Sequence, residues 1–208
     1  MDGRLSMAPK LQKRAENTRN RILTAAVEAF SGSGFAGTTV EDVAGRAGVN
    51  KQRIYAYFGS KRKLFEAALL EVFSQVKIFS ESAVRRAEAE PEKLSRIVLE
   101  EFFRVHQEQP ALWRLLAWAN LQGAESAAAL AGVRREENSA LRKIFESAQQ
   151  KQLINPVKFE NWLYTLLAVS CFYHSNFHTM QYTHDPAMGS AMWVQSLLDD
   201  TGALFTRK

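Results

Sequence analysis

The sequence predicts an all-α fold of about nine helices, and three observations carry that expectation. Apolar residues recur at spacings of three and four along almost the whole chain. Pro, Gly, Asn and Ser stand where such stretches begin and end. No stretch alternates convincingly between apolar and polar residues as a half-buried strand does, and there is no internal repeat or low-complexity tract.

The elements follow in order. Residues 1–14 mix Pro, Gly, Lys and Arg without helical periodicity and read as a flexible basic arm. Ile22, Leu23, Ala26, Val27 and Phe30 form one face of a first helix, which Gly32 and Gly34 end before Phe35 returns to the core. Thr38 or Thr39 caps a short second helix whose Val40, Val43, Ala44 and Ala47 share a face, and Gly48 breaks it. A third helix starts at Asn50, with Ile54 and Phe58 inward. Ser60 caps a fourth carrying Leu64, Phe65, Ala68, Leu69, Val72, Phe73 and Val76, expected to run into the AVRRAEAE stretch and link two domains. Pro91 and Pro110 suit the first turns of the fifth and sixth helices, and a seventh spans roughly Ser126 to Gln152. Asn155-Pro156 and Asp185-Pro186 open the last two. The expected division is an arm (1–14), a three-helix domain (15–60) and a larger helical domain (61–208).

A chain of 208 residues, 46% hydrophobic and 24% charged, can bury a real core and is not of the disordered class. Cys171 is the only cysteine, so no internal disulfide or zinc-finger spacing is available. The start, MDGRLSMAPKLQKR, lacks a signal-peptide core, and no stretch is apolar enough to cross a bilayer, so a cytoplasmic protein is expected. Residues 1–63 carry 12 Lys/Arg against 5 Asp/Glu, a net +7, whereas the remainder carries −2. Clustered cations in the first part alone point to a polyanion partner for that part.

The stretch TTVEDVAGRAGVNKQRIYAYFGSK holds two short helices joined by a glycine turn, the second exposing a dense polar and aromatic row. A helix-turn-helix is built this way: the second helix enters the major groove, where Lys and Arg reach guanine and Gln pairs with adenine, and the first braces it. A plain helical hairpin with a solvated face has the same pattern. The longer string ILTAAVEAFSGSGFAGTTVEDVAGRAGVNKQRIYAYFGSKRKLFEA resembles the N-terminal domain of the TetR family of transcriptional regulators over about residues 19–70. The likeness rests on the aromatic-ended first helix, the GF..TT junction, the VA..AGV turn, the IY.YF helix and the SK..L start of the fourth.

That resemblance implies a homodimer formed by the last two helices, double-stranded operator DNA as partner, and a small-molecule effector that releases a repressor. It also implies that Lys51, Gln52, Arg53 and Ala56 face base edges, that Tyr55 and Tyr57 contact phosphates or bases, and that Thr39 and Lys61 contact phosphates. Ala56 is smaller than the residue often found there. Lys10, Lys13 and Arg14 of the arm are candidates for the adjacent minor groove, with a merely solvating tail the alternative.

Other signals are weaker. Gly32, Gly34 and Gly37 spell a dinucleotide-loop string, but a phosphate-binding loop must leave a strand, whereas this one leaves a helix. His174 and His178 are four apart with His184 beyond, a spacing that metal sites use but that packed histidines share. Cys171 reads as a packed thiol rather than a sensor. Glu100-Glu101 and Asp199-Asp200 are adjacent pairs facing different helix sides, so no acid/base couple, cofactor or enzyme is expected. Phe73, Phe102, Phe103, His106, Trp113, Trp118, Asn120, Phe172 and Tyr173 supply an aromatic-rich set from which an effector pocket can be built. The competing classes are an architectural DNA-binding protein without effector and a helical metal-dependent enzyme using His174 and His178.

Overall fold

A computed structural model describes residues 7–75, 80–183 and 186–207. These form eleven α-helices: α1 (Met7–Gly37), α2 (Val40–Ala47), α3 (Lys51–Phe58), α4 (Lys61–Gln75), α5 (Glu81–Ala89), α6 (Leu94–Glu108), α7 (Pro110–Leu121), α8 (Ala124–Ala128), α9 (Ala131–Gln150), α10 (Phe159–Thr183) and α11 (Ala191–Ala203). Pro91–Lys93 and Pro186–Gly189 are short 3-10 turns. Among the described residues there is no strand, only an isolated antiparallel bridge between Ile154 and Thr206. Two compact units emerge, Met1–Gln75 with Ala111–Gly132, and Val76–Pro110 with Val133–Lys208.

In the first unit, Ile22, Leu23, Ala26 and Phe30 of α1 meet Val40, Val43 and Ala47 of α2, Ile54 and Phe58 of α3, and Leu64, Phe65 and Leu69 of α4, all buried. Burying each of the larger side chains is worth about 1.5–3 kcal/mol. Phe35 folds back onto Phe30 and Phe65, its centroid 5.5 Å from that of Phe65. Gly34 makes that return with φ 72 and ψ 178. Thr38 is buried and donates its hydroxyl to the Ala29 carbonyl at 3.0 Å, leaving Thr39 as the cap.

The second unit centres on Leu99, Phe102, Phe145, Trp162 and Leu166. Trp162 is fully buried and its indole N–H donates to Ser95 Oγ at 2.9 Å, which satisfies both polar groups inside the core.

The elements differ from expectation at several points. The segment expected as an irregular arm is helical from Met7, while residues 1–6 lie outside the described residues. Its Leu, Gln, Lys, Arg, Ala and Glu are good helix formers, Pro9 falls in the first turn where no amide partner is needed, and a solvated helix shows no apolar period. The single fourth helix is two, α4 and α5, with Val76 outside the described residues. Helix α4, expected to open the second domain, packs on α1 and α3 within the first unit. The seventh predicted helix is the short α8 followed by α9, and α10 starts at Phe159 rather than beside Pro156.

Candidate nucleic-acid interface

The turn between α2 and α3 is held by a small set of polar contacts. Thr39 caps α2: Asp42 N donates to Thr39 Oγ1 at 3.0 Å, and Thr39 N and Oγ1 donate back to Asp42 Oδ2 at 2.9 and 2.6 Å. These bonds, the hydroxyl first, hold the Asp42 carboxyl below its ordinary range. Gly48 ends α2 at φ 61 and ψ 41, a left-handed conformation that side chains resist. The Arg21 guanidinium of α1 donates to the carbonyls of Ala47 (2.5 Å) and Gly48 (3.5 Å), a cation at the negative end of the α2 dipole. A Cβ on Gly48 would stand 2.7 Å from Arg21 Nη2, so glycine and arginine fit as a pair.

Asn50 then caps α3, accepting from Arg53 N at 3.0 Å. With Ile54 and Phe58 buried, the helix presents Lys51, Gln52, Arg53, Tyr55, Ala56 and Tyr57 to solvent. Tyr55 and Tyr57 are 46% and 38% exposed, large apolar surfaces with no core to cover them. Lys51 Nζ lies 2.9 Å from Glu41 Oε1, a link between α2 and α3 that raises the lysine pKa and lowers that of the carboxylate. At the start of α4, Lys61 Nζ sits 4.6 Å from the centroid of Phe35, and Ser60 Oγ accepts from Lys63 N at 3.1 Å. Asn17, Asn20, Thr24, Glu28 and Arg46, with Ala25 and Ala47, line an open cleft beside the turn. Thus the base-edge candidates share one short helix, while Thr39 and Lys61 stand at the starts of the helices before and after it.

This is a surface that offers cations, amides and aromatic hydroxyls on a rigid eight-residue helix, the chemistry of groove reading. A family model described as bacterial regulatory proteins, tetR family, matches residues 22–68, and a tetracyclin repressor-like C-terminal domain matches residues 91–203, more than half of the chain. The chain belongs to the TetR family of bacterial regulatory proteins. It is a DNA-binding transcriptional regulator with the helix-turn-helix expected from the sequence. The HTH-type transcriptional repressor NicS of Pseudomonas putida is 34% identical over 172 residues, 81% of this chain and 81% of that protein. The HTH-type transcriptional repressor SCO4008 of Streptomyces coelicolor is 32% identical over 107 residues, 51% of this chain and 52% of its own length. In fold, the chain is similar to a TetR family transcription regulator from Marinobacter aquaeolei VT8, with TM-score 0.66 and 20% identity over 95% of this chain and all of that one.

The aromatic set proposed for an effector pocket divides between the two units. Phe73 is buried, Trp113 and Trp118 are half-buried and Asn120 is exposed in the first. Phe102, Phe103 and His106 are buried and Tyr173 half-buried in the second, where Phe172 is 55% exposed. Asn120 and Phe172 therefore face solvent instead of an enclosed space. Phe102 belongs to the second unit's core.

His106, His174 and Ser170 do gather: the two imidazoles stack at 4.4 Å, and Ser170 Oγ lies 2.9 Å from His106 Nδ1. Burial drives the His106 pKa down to about 3 and lowers that of His174. His178 is exposed and His184 lies outside the described residues. Among the described residues no group of three or more His, Cys, Asp or Glu is placed to hold a metal, and no helix is long and apolar enough to cross a membrane. Burial raises the Cys171 pKa, which makes its thiol less reactive.

Sequence reasoning missed Arg21, Glu41 and Ser170. Each acts through a partner distant in sequence or around a turn, and no local pattern marks such a partner.

Proposed function

We propose that this regulator acts as a homodimeric repressor whose α3 helices read the half-sites of a near-palindromic operator, and that a small organic effector bound in the second unit releases it. The carrying observation is the outward face of α3, where six successive candidates other than Ile54 stay exposed because Ile54 and Phe58 anchor the helix. Lys51, Gln52 and Arg53 supply base contacts, Tyr55 and Tyr57 supply phosphate or base contacts, and Thr39 and Lys61 fix register on phosphates. Ala56, with only a methyl group, offers apolar contact to a thymine methyl.

The helical course of the N-terminal segment alters the role of Lys13 and Arg14. An α-helix is about 10–12 Å across, too wide for a minor groove about 6 Å wide, so these exposed cations serve phosphates.

Dimerisation through α10 and α11 is supported by the apolar side chains that these helices leave uncovered. Leu163, Leu166, Met188 and Leu198 are buried in the second unit itself, and Leu167, Val169, Val194 and Leu197 pack against its core. Uncovered residues include Tyr164, Ala168 and Phe172, a four-residue-spaced ridge on α10, Tyr182 near its end, and Met192 on α11, 82% exposed. Such ridges interlock with a second copy under two-fold symmetry. Release requires the effector to bind the DNA-incompetent state better than the competent one, with reciprocal weakening of effector binding by operator.

The test is operator binding by Arg53→Ala and Lys61→Ala across salt and operator variants. Lys61→Ala weakens all sequences alike, whereas Arg53→Ala also relaxes preference at one position per half-site by about 1–3 kcal/mol. Unchanged specificity in Arg53→Ala removes that residue from base reading.

A further inference from the structure

We propose that His174 Nε2 is the hydrogen-bond acceptor for an uncharged, planar organic effector that brings its own N–H or O–H donor, an inference that rests on the effector-controlled release proposed above. His174 Nδ1 lies 2.9 Å from the Ser170 carbonyl, which can only accept, so Nδ1 carries the ring proton. The neutral ring then presents a bare lone pair at Nε2. That atom is buried and has no hydrogen-bond partner among the described residues. A buried polar atom left unpaired is costly, and in native proteins such an atom finds a protein, water or ligand partner.

The surroundings set the class of ligand. His106 stacks on His174 with planes 9° apart, and its own Nδ1 faces the Phe102 carbonyl at 2.8 Å, so it too is fixed in orientation. Two imidazoles 4.4 Å apart do not both accept a proton, and burial disfavours charge on each. Phe103 meets His174 edge to face at 4.9 Å, Tyr173 does so at 5.0 Å, and Tyr173 in turn stacks on Trp193 at 5.8 Å. The cluster is made of rings, a hydroxyl and backbone carbonyls. A cation or anion entering it would lose hydration without an opposite charge, because the buried carboxylate of this unit, Glu101, is tied to Arg104 and to the Ser80 amide. A flat ring with one donor gains both stacking and the missing bond.

The experiment uses the full chain and a matched pair of probes, indole and 1-methylindole, which differ in the donor. Histidine side-chain 15N spectra report the tautomer and the response of Nε2, and the same samples are titrated with operator. The expected result is an unprotonated His174 Nε2 whose resonance moves with indole, and indole binding about tenfold tighter than 1-methylindole. His174→Phe, which keeps a ring without an acceptor, is expected to lose that ratio. If His174→Phe does not fold, the wild-type spectrum and the probe ratio still decide.

The proposal is overturned by a protonated Nε2, by equal binding of the two probes, or by no binding and no shift at millimolar indole. If the probe ratio appears while operator affinity is unchanged, the site stands and only its use in release fails. Release by a compound whose affinity ignores His174→Phe leaves release intact and this site wrong.

Discussion

Replacing Gly34 by alanine tests the geometry that turns α1 toward the DNA-reading helices. At φ 72 and ψ 178 the residue occupies a region that is essentially glycine's alone, and holding alanine there costs about 1–3 kcal/mol. The new Cβ would also stand 2.7 Å from Cδ2 and Cε2 of the Trp118 indole, and overpacking against a rigid ring adds about 1–3 kcal/mol. The two effects act on the same atoms, so a combined loss of about 4 kcal/mol is expected, a large part of the about 5–15 kcal/mol that holds such a protein together. Urea unfolding followed by tryptophan fluorescence reads it, since Trp118 lies against the altered residue. Gly45→Ala is the control: Gly45 lies inside α2 with nothing within 4 Å of the place its methyl group would take, so alanine there is expected to stabilise by about 0.5–1 kcal/mol. A loss below about 1 kcal/mol for Gly34→Ala, at unchanged m-value, would refute the account of this turn.

Stability should fall with acid because the native fold resists protonating His106. Its pKa lies near 3 against about 6.5 unfolded, so this contribution is complete above pH 6.5 and declines as pH falls toward 3. Between pH 7.5 and 5 the loss is about 2 kcal/mol, with His174 acting in the same direction, and denaturation of wild type and His106→Phe at the two pH values should show the slope shrink in the variant. Glu41→Gln frees Lys51 and removes a negative charge beside the groove-reading helix, so affinity for any duplex should rise about two- to fivefold in a binding titration; unaltered affinity would mean that Lys51 does not approach DNA. Deleting residues 1–14 should lower the slope of log affinity against log salt by about 0.9 for each phosphate no longer neutralised, up to about 4 if Arg4, Lys10, Lys13 and Arg14 all take part, while base preference stays the same.

The reading helix was largely legible from sequence. Asn50, Ile54, Phe58 and Gly48 are a cap, two anchors and a breaker within a short span, and such signals act over one or two turns of chain. A cap at Thr38 or Thr39 and a break in α1 at Gly34 were legible for the same reason, whereas the choice of Thr39 needed the Thr38 hydroxyl to be seen buried against Ala29. The arm was not, because Lys13, Arg14 and their neighbours form a helix with no buried face, and periodicity detects only burial. The pocket candidates illustrate the opposite failure. Phe102 and Phe172 are alike in the sequence, yet one is core and the other exposed, and only tertiary packing separates them. Ser170 was overlooked because a lone serine in an apolar helix carries no mark of its distant partner, His106.

The early start of α1 bears on how heat and DNA affinity are connected. An arm that folds only on binding orders its backbone at that moment, with the loss of freedom charged against association and a change in heat capacity to match. Here the buried turns around Ile22 and Phe30 already nucleate the helix, and residues before them need only propagate it, one hydrogen bond for each residue fixed. The cations at Lys13 and Arg14 are therefore spaced along a straight rod before any duplex arrives. Their contribution should be nearly athermal, governed by ions released from the duplex, so cooling should leave it almost unchanged where a folding arm would tighten.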